Sequence, residues 1–165
     1  MSRGFILIEA SVTYVVLSLA LVALVPIFVL TIRAAKGTER VVTAAQLAVE
    51  LLEEVRLRRW DESTPRPPAR IASPGAVGAD AGEAPADKRT FDDIDDFNGW
   101  TESPPADPLN QPLAGAAGYA RSAAVRYVDA ALNPAAGTTD FKEVTVCVTG
   151  PQLKPVCLAT ILTNR

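Results

Sequence analysis

Gly4-Phe5-Ile6-Leu7-Ile8-Glu9 opens a run in which, from Phe5 to Ile32, Glu9 is the only charged residue. About 20 consecutive apolar residues span a bilayer as a helix, so this run is long enough to cross one. A secretory signal peptide has an apolar region of only about 7–15 residues and ends in a small-residue cleavage site. Here the run passes straight into Arg33-Ala34-Ala35-Lys36 with no such site. A plain membrane anchor accounts for the length but not for an acid near one end. A carboxylate at the centre of a spanning helix costs about 2.5–3.5 kcal/mol on the insertion scale, so Glu9 is a functional candidate by default.

The helix is expected to continue past the membrane. Val41, Ala44, Ala45, Ala48, Leu51, Leu52 and Val55 recur at the spacing of one helical face, and Glu39, Arg40, Gln46, Glu50, Glu53, Glu54 and Arg58 take the other. Glu54 with Arg58 has the favoured acid-first i,i+4 order. The spacing predicts a membrane-spanning segment over 5–32 and an amphipathic segment over 33–60. At about 1.5 Å per residue, a helix from Phe5 to Trp60 is roughly 84 Å long. Its second half can pack on its own domain; its first half needs lipid or other subunits. Pro26 lacks the N–H of one helical hydrogen bond and predicts a kink or local melting, with Gly37 a second soft point.

Residues 61–90 are rich in Pro, Ala and Gly. Pro65, Pro67, Pro68, Pro74 and Pro85 forbid a continued helix, so this segment is expected to be an extended surface loop. Phe91-Asp92-Asp93-Ile94-Asp95-Asp96-Phe97-Asn98-Gly99-Trp100 follows. Asp92, Asp93, Asp95 and Asp96 are candidate calcium ligands, although the EF-hand pattern fails: its first Asp would be Ile94 and its closing Glu would be Pro105. The alternative is a turn in which Asp and Asn bond nearby backbone, while Phe91, Ile94, Phe97 and Trp100 pin it to the core at threefold spacing.

The remainder reads as strands. Ser122 to Asp129 places Val125 and Tyr127 on one face. Lys142 to Thr149 places Val144, Val146 and Val148 on one face and Thr145 and Cys147 on the other, and Val156 to Thr163 alternates again. A hairpin centred on Gln152 sets Val148 against Val156, Val146 against Leu158, and Cys147 against Cys157. That register allows a disulfide or two reduced thiols on one face, and a location outside the cytoplasm favours oxidation. The expected fold is α+β: a long N-terminal helix packed on a small antiparallel sheet, with 91–165 completing the globular domain that 33–60 begins.

Composition narrows the function. The chain has 165 residues, a net charge of −3 and no histidine. Without histidine the commonest general base and metal ligand is missing, and no nucleophile–base pair is visible, so an enzyme is not expected. No basic patch or aromatic platform suggests nucleic acid. The two cysteines lie outside any CxxC spacing.

Gly4-Phe5-Ile6-Leu7-Ile8-Glu9, with Pro26 about twenty residues on, resembles the cleavage and methylation motif of type IV pilins and type II secretion pseudopilins. The resemblance implies a leader over 1–4, cleavage after Gly4 by a prepilin peptidase, and methylation of Phe5. It also implies assembly into a pilus or pseudopilus with other subunits, through an inner-membrane assembly platform. Cleavage would leave a positive amine on Phe5, and Glu9 of one subunit could pair with that amine on a neighbour, setting axial register as one polar residue does in a coiled coil. Leu51-Leu52-Glu53-Glu54-Val55-Arg56 and the Asp-rich segment resemble minor pilins of the mannose-sensitive haemagglutinin kind. Arg3 stands alone before the run, while Arg33, Lys36 and Arg40 follow it, so flanking charge alone would place the bulk of the chain in the cytoplasm. The resemblance implies the reverse: a single inner-membrane pass with an extracytoplasmic C-terminal domain. The other class of function is a membrane-tethered binding module using the Asp-rich turn as a calcium or ligand loop.

Overall fold

The computed structural model describes residues 3–66, 68–80, 82–84 and 86–165, with backbone alone over 3–7. Met1 and Ser2 of the expected leader, and Pro67 and Pro85 of the expected loop, lie outside the described residues. The chain divides into two compact units, Met1–Glu39 and Arg40–Arg165.

Among its described residues the first unit is helix alone. Helix α1, Arg3–Arg56, begins in it. Every described side chain from Ile8 to Lys36 is exposed, and the helix is long and apolar enough to cross a membrane. Thr13, Ser18 and Thr31 return their hydroxyls to the carbonyls of Glu9, Tyr14 and Ile27, which hides polar groups that lipid would not solvate. Helical backbone runs unbroken through Pro26 and Gly37.

The second unit is built on the end of α1. Ala44, Leu47, Ala48, Leu51, Leu52 and Val55 are buried on one face. Burying a Leu or Val side chain is worth about 1.5–3 kcal/mol, so this face ties the helix to its sheet. Two assignments are corrected. Val41 is exposed, because it stands before the first turn that the sheet covers. Glu54, placed on the polar side, is buried, because the Lys88 ammonium meets it there.

The helix ends at Arg56, four residues before the expected Trp60. Leu57 N–H donates to Glu53 and Glu54, and Arg58 N–H to Val55, which tightens the last turn. Arg59 then leaves helical geometry because its backbone is taken by another segment: its N–H donates to Asp92 O and its carbonyl accepts from Ile94 N–H.

Four strands follow: β1 (Thr101–Glu102), β2 (Ala120–Tyr127), β3 (Phe141–Thr149) and β4 (Val156–Thr163). They form one antiparallel sheet in sequence order. The β3–β4 register pairs Val148 with Val156, Val146 with Leu158 and Cys147 with Cys157, as the alternation predicts. Cys147 and Cys157 form a disulfide with their Cα atoms 4.1 Å apart. Val144, Val146 and Val148 are fully buried against α1 and the aromatic residues of the Asp-rich segment. Gly150 opens the β3–β4 turn because the Tyr119 ring lies where its side chain would be, 2.6 Å from a Cβ placed there.

Strand β2 begins two residues earlier than expected and ends at Tyr127. The short β1 was not foreseen; two residues carry no readable alternation.

The segment over 61–90 holds no helix or strand among its described residues, as its prolines require. It is nevertheless tied down. Asp61 accepts from Ser63 and Gly75, the Tyr127 hydroxyl donates to Gly75 O, and Ile71 exchanges backbone bonds with the Asn164 side chain.

Candidate functional site

Three groups of residues carry chemistry, and each belongs to one unit only. At the N-terminus, Gly4 and Phe5 lie in the first turns of α1, where only the backbone is described. Glu9 is exposed on the same helix, amid exposed apolar neighbours such as Ile8 and Val12. Pro26 lies further along the same helix. The helical backbone fixes the axial offset of Glu9 from Phe5 at four residues, about 6 Å at 1.5 Å per residue.

The second group is the Asp-rich segment. Phe91, Ile94, Phe97 and Trp100 are buried, and Phe91 meets Phe97 and Trp100 edge to face with ring centroids 5.1 and 5.3 Å apart. A 3-10 turn, Asp95–Phe97, connects them, and Gly99 takes a φ of 80°, which favours glycine. The expected backbone bonding is present: Asp93 Oδ1 accepts from Asp95 and Asp96 N–H, and Asp96 Oδ2 accepts from Asp92 and Asp93 N–H.

The acids do not act as a foursome. Asp93 meets Glu62 and Asp80, while Asp92 and Asp96 meet Glu83; in each trio the carboxylate oxygens lie within 4.8 Å of one another. Either trio could hold a divalent cation by oxygen ligation. Asp95 belongs to neither trio and pairs with Lys142 at 2.5 Å. Glu62, Asp80 and Glu83 were not foreseen. They lie in the Pro-rich loop, and nothing in its irregular sequence indicates where it folds back. Arg59 balances the cluster in part, donating to Glu62 Oε2 at 3.0 Å and to Asp92 Oδ2.

Crowding of like charges in a partly dry site raises several of these groups. Burial, then the neighbouring Asp95 and Asp96, pushes Asp93 up to about 7. Burial and contact with Asp96 push Glu83 up to about 7. Burial also raises Asp95 to about 6, with Lys142 opposing.

Such acids bind protons more tightly in the folded chain than in the unfolded chain. Between about pH 4 and pH 7 the folded state therefore carries the extra protons, and stability falls as pH rises through that window. Carboxylates whose pKa is lowered, such as Asp140 beside Arg70, act in the opposite sense but below this window. Denaturant unfolding should show a higher midpoint at pH 5 than at pH 8. Asp93→Asn keeps the carbonyl that accepts from Asp95 and Asp96, and should flatten this slope. An unchanged slope would show that Asp93 does not carry it.

The third group is a set of buried cations. Lys88 Nζ is fully buried, 2.6 Å from Ala106 O, 3.1 Å from Glu54 and 3.4 Å from Glu102. Arg121, 1% exposed, donates to Leu47 O, Ala106 O and Glu102. Lys142, fully buried, donates to Trp60 O at 2.7 Å and Asp95 Oδ2 at 2.5 Å, lies 3.8 Å from Asp61, and sits over the Trp60 ring at 3.9 Å.

Strand alternation could have signalled two of these. Arg121 shares its face with Ala123, Val125 and Tyr127, and Lys142 shares its face with Val144, Val146 and Val148. Lys88 has no such signal.

Comparison with family models, with curated proteins and with solved structures finds no match to this chain.

Proposed function

We propose that this chain is a structural subunit of a type IV pilus or secretion pseudopilus, a minor rather than the abundant component. A prepilin peptidase cuts after Gly4, Phe5 becomes the methylated N-terminus, and the apolar helix holds the subunit in the inner membrane. The second unit then lies outside the cytoplasm, and the assembly platform moves the helix from lipid into the filament core. Gly4 and Phe5 carry processing and Glu9 carries registration between subunits. The work is assembly, not catalysis.

One observation carries the reading: Gly4-Phe5 and Glu9 stand at the head of an apolar helix, α1, whose last turns form the core of an antiparallel-sheet unit. The Cys147–Cys157 disulfide supports a location outside the reducing cytoplasm. Mass spectrometry of assembled material from the native host tests it. The expected N-terminal fragment begins with methylated Phe5; assembled chain that retains Met1 would overturn the proposal.

Two trios of carboxylates, Glu62, Asp80 and Asp93 and then Glu83, Asp92 and Asp96, favour a second reading, a tethered module that takes a divalent cation on the Asp-rich face. Calcium added to the full chain in detergent should then raise the thermal midpoint by several degrees, as binding to the folded state alone requires. Asp93→Asn should abolish that rise, and an unchanged midpoint in the parent chain counts against this reading.

A further inference from the structure

We propose that Lys142 and Asp95 are joined by an intramolecular amide bond, made by the folded chain itself without an added reagent. The argument begins with enclosure. Lys142 is fully buried and Asp95 is 3% exposed, so neither charge is solvated by bulk water. Two aromatic rings wall the ammonium, Trp60 at 3.9 Å and Tyr127 at 5.3 Å. Nζ stands 2.5 Å from Asp95 Oδ2, so the nucleophile is already held against the group it would attack. Asp95 Oδ1 is buried with no hydrogen-bond donor, a costly arrangement for an ionised carboxylate and a cheaper one for a neutral carbonyl oxygen.

The site also holds a proton carrier. Asp61 is 3.8 Å from Lys142 Nζ and is kept in place by Ser63 and the Gly75 N–H. The step balances without a co-reactant. One Nζ proton passes to Asp95 Oδ2, and the freed lone pair attacks Cγ. A second Nζ proton passes to the Asp61 carboxylate, which delivers it to the leaving hydroxyl. Water departs as the Cγ–O bond breaks, the Nζ–Cγ amide remains, and Asp61 is returned ionised. The product ties the Asp-rich segment, through its 3-10 turn, to β3.

The second buried lysine is an internal control. Lys88 also lies between two carboxylates, but its nearest neighbour is the Ala106 carbonyl at 2.6 Å, which has no leaving group, and Glu54 and Glu102 stand off at 3.1 and 3.4 Å. No cross-link is expected there.

Intact mass and a tryptic digest of the purified full chain, reduced before analysis, test the proposal. Formation of the bond removes one water, about 18 Da, a covalent change that denaturation does not reverse. Trypsin should fail to cut after Lys142, whose amine is no longer free, and should cut normally after Lys88. The fragment carrying Asp95 should stay attached to the fragment carrying Lys142. Lys142→Arg keeps the charge but has no amine to acylate, and should release two separate fragments. Free fragments and a cut after Lys142 in the parent chain overturn the proposal. That result would leave processing at Gly4 untouched, because it concerns only the second unit.

Discussion

Lys88→Met should destabilise the second unit by about 3–5 kcal/mol, the usual cost of removing one partner from a buried ion pair. The size follows from what is left behind. Glu54, 7% exposed, and the Glu102 side chain lose the ammonium between them, and the Ala106 carbonyl loses a donor at 2.6 Å. Arg121 still reaches Glu102, but among the described residues Glu54 keeps only Arg58, at 3.8 Å. Methionine fills the lysine's volume, so the loss is one of charge pairing and not of packing. Urea unfolding of the full chain in detergent, followed by the fluorescence of Trp60 and Trp100, reads this unit because both indoles are buried in it. Adding Glu54→Leu to Lys88→Met should recover a large part of the loss, since the stranded carboxylate is then gone. A single-variant loss below about 1 kcal/mol would show that water reaches the cluster and that it behaves as a surface pair.

For the pilus or pseudopilus subunit proposed above, Glu9→Ala should abolish incorporation into the filament while leaving the second unit folded. The two parts of the expectation have separate reasons. Glu9 lies in the unit Met1–Glu39, while the described residues of the hydrophobic core around Val144, Val146 and Val148 belong to the second unit, so the unfolding midpoint of that core should not move. Removal of the acid makes the helix more apolar and cheaper to keep in lipid, so membrane retention should persist or increase. On the proposed function, only the pairing of Glu9 with a neighbour's Phe5 amine is lost. Sheared filaments, immunoblotted beside the membrane fraction, give the readout: variant chain in the membrane and absent from the filament. Normal incorporation would refute the registration role while leaving cleavage at Gly4 to be judged by mass.

Much of the architecture was legible because local pattern and burial agree. The 3.6-residue recurrence from Ala44 to Val55 marks the face that meets the sheet, and alternation through Val144, Val146 and Val148 marks the face that meets the helix. The β3–β4 register was legible for a sharper reason. A slip of one residue would turn every valine outward and would part Cys147 from Cys157, so a single register satisfies both constraints. The end of α1 was not legible. Arg58, Arg59 and Trp60 continue a plausible helix, and only the competing backbone bonds between Arg59 and Asp92 or Ile94 stop it.

The candidate site divides along the same line. Gly4, Phe5, Glu9 and Pro26 are neighbours in a continuous helix, so their relation is a matter of spacing that the sequence alone determines. The Asp-rich segment announced its turn and its aromatic anchors. Its partners could not be read there, because Glu62, Asp80 and Glu83 arrive from an irregular loop with no period to extrapolate. Lys88, Arg121 and Lys142 are the clearest case. A charged residue is assigned to solvent by default, and it enters a core only when carboxylates and carbonyls from distant segments converge on it. Glu54 comes from α1, Glu102 from β1, Asp61 from the loop after the helix and Asp95 from the 3-10 turn. The sequence by itself therefore determined the buried face of the helix, the alternation of β2, β3 and β4 and the register that opposes the cysteines, because those follow from periodicity along the chain. Only the tertiary structure decided which charges are buried and which acids share a site, because long-range convergence leaves no period to read.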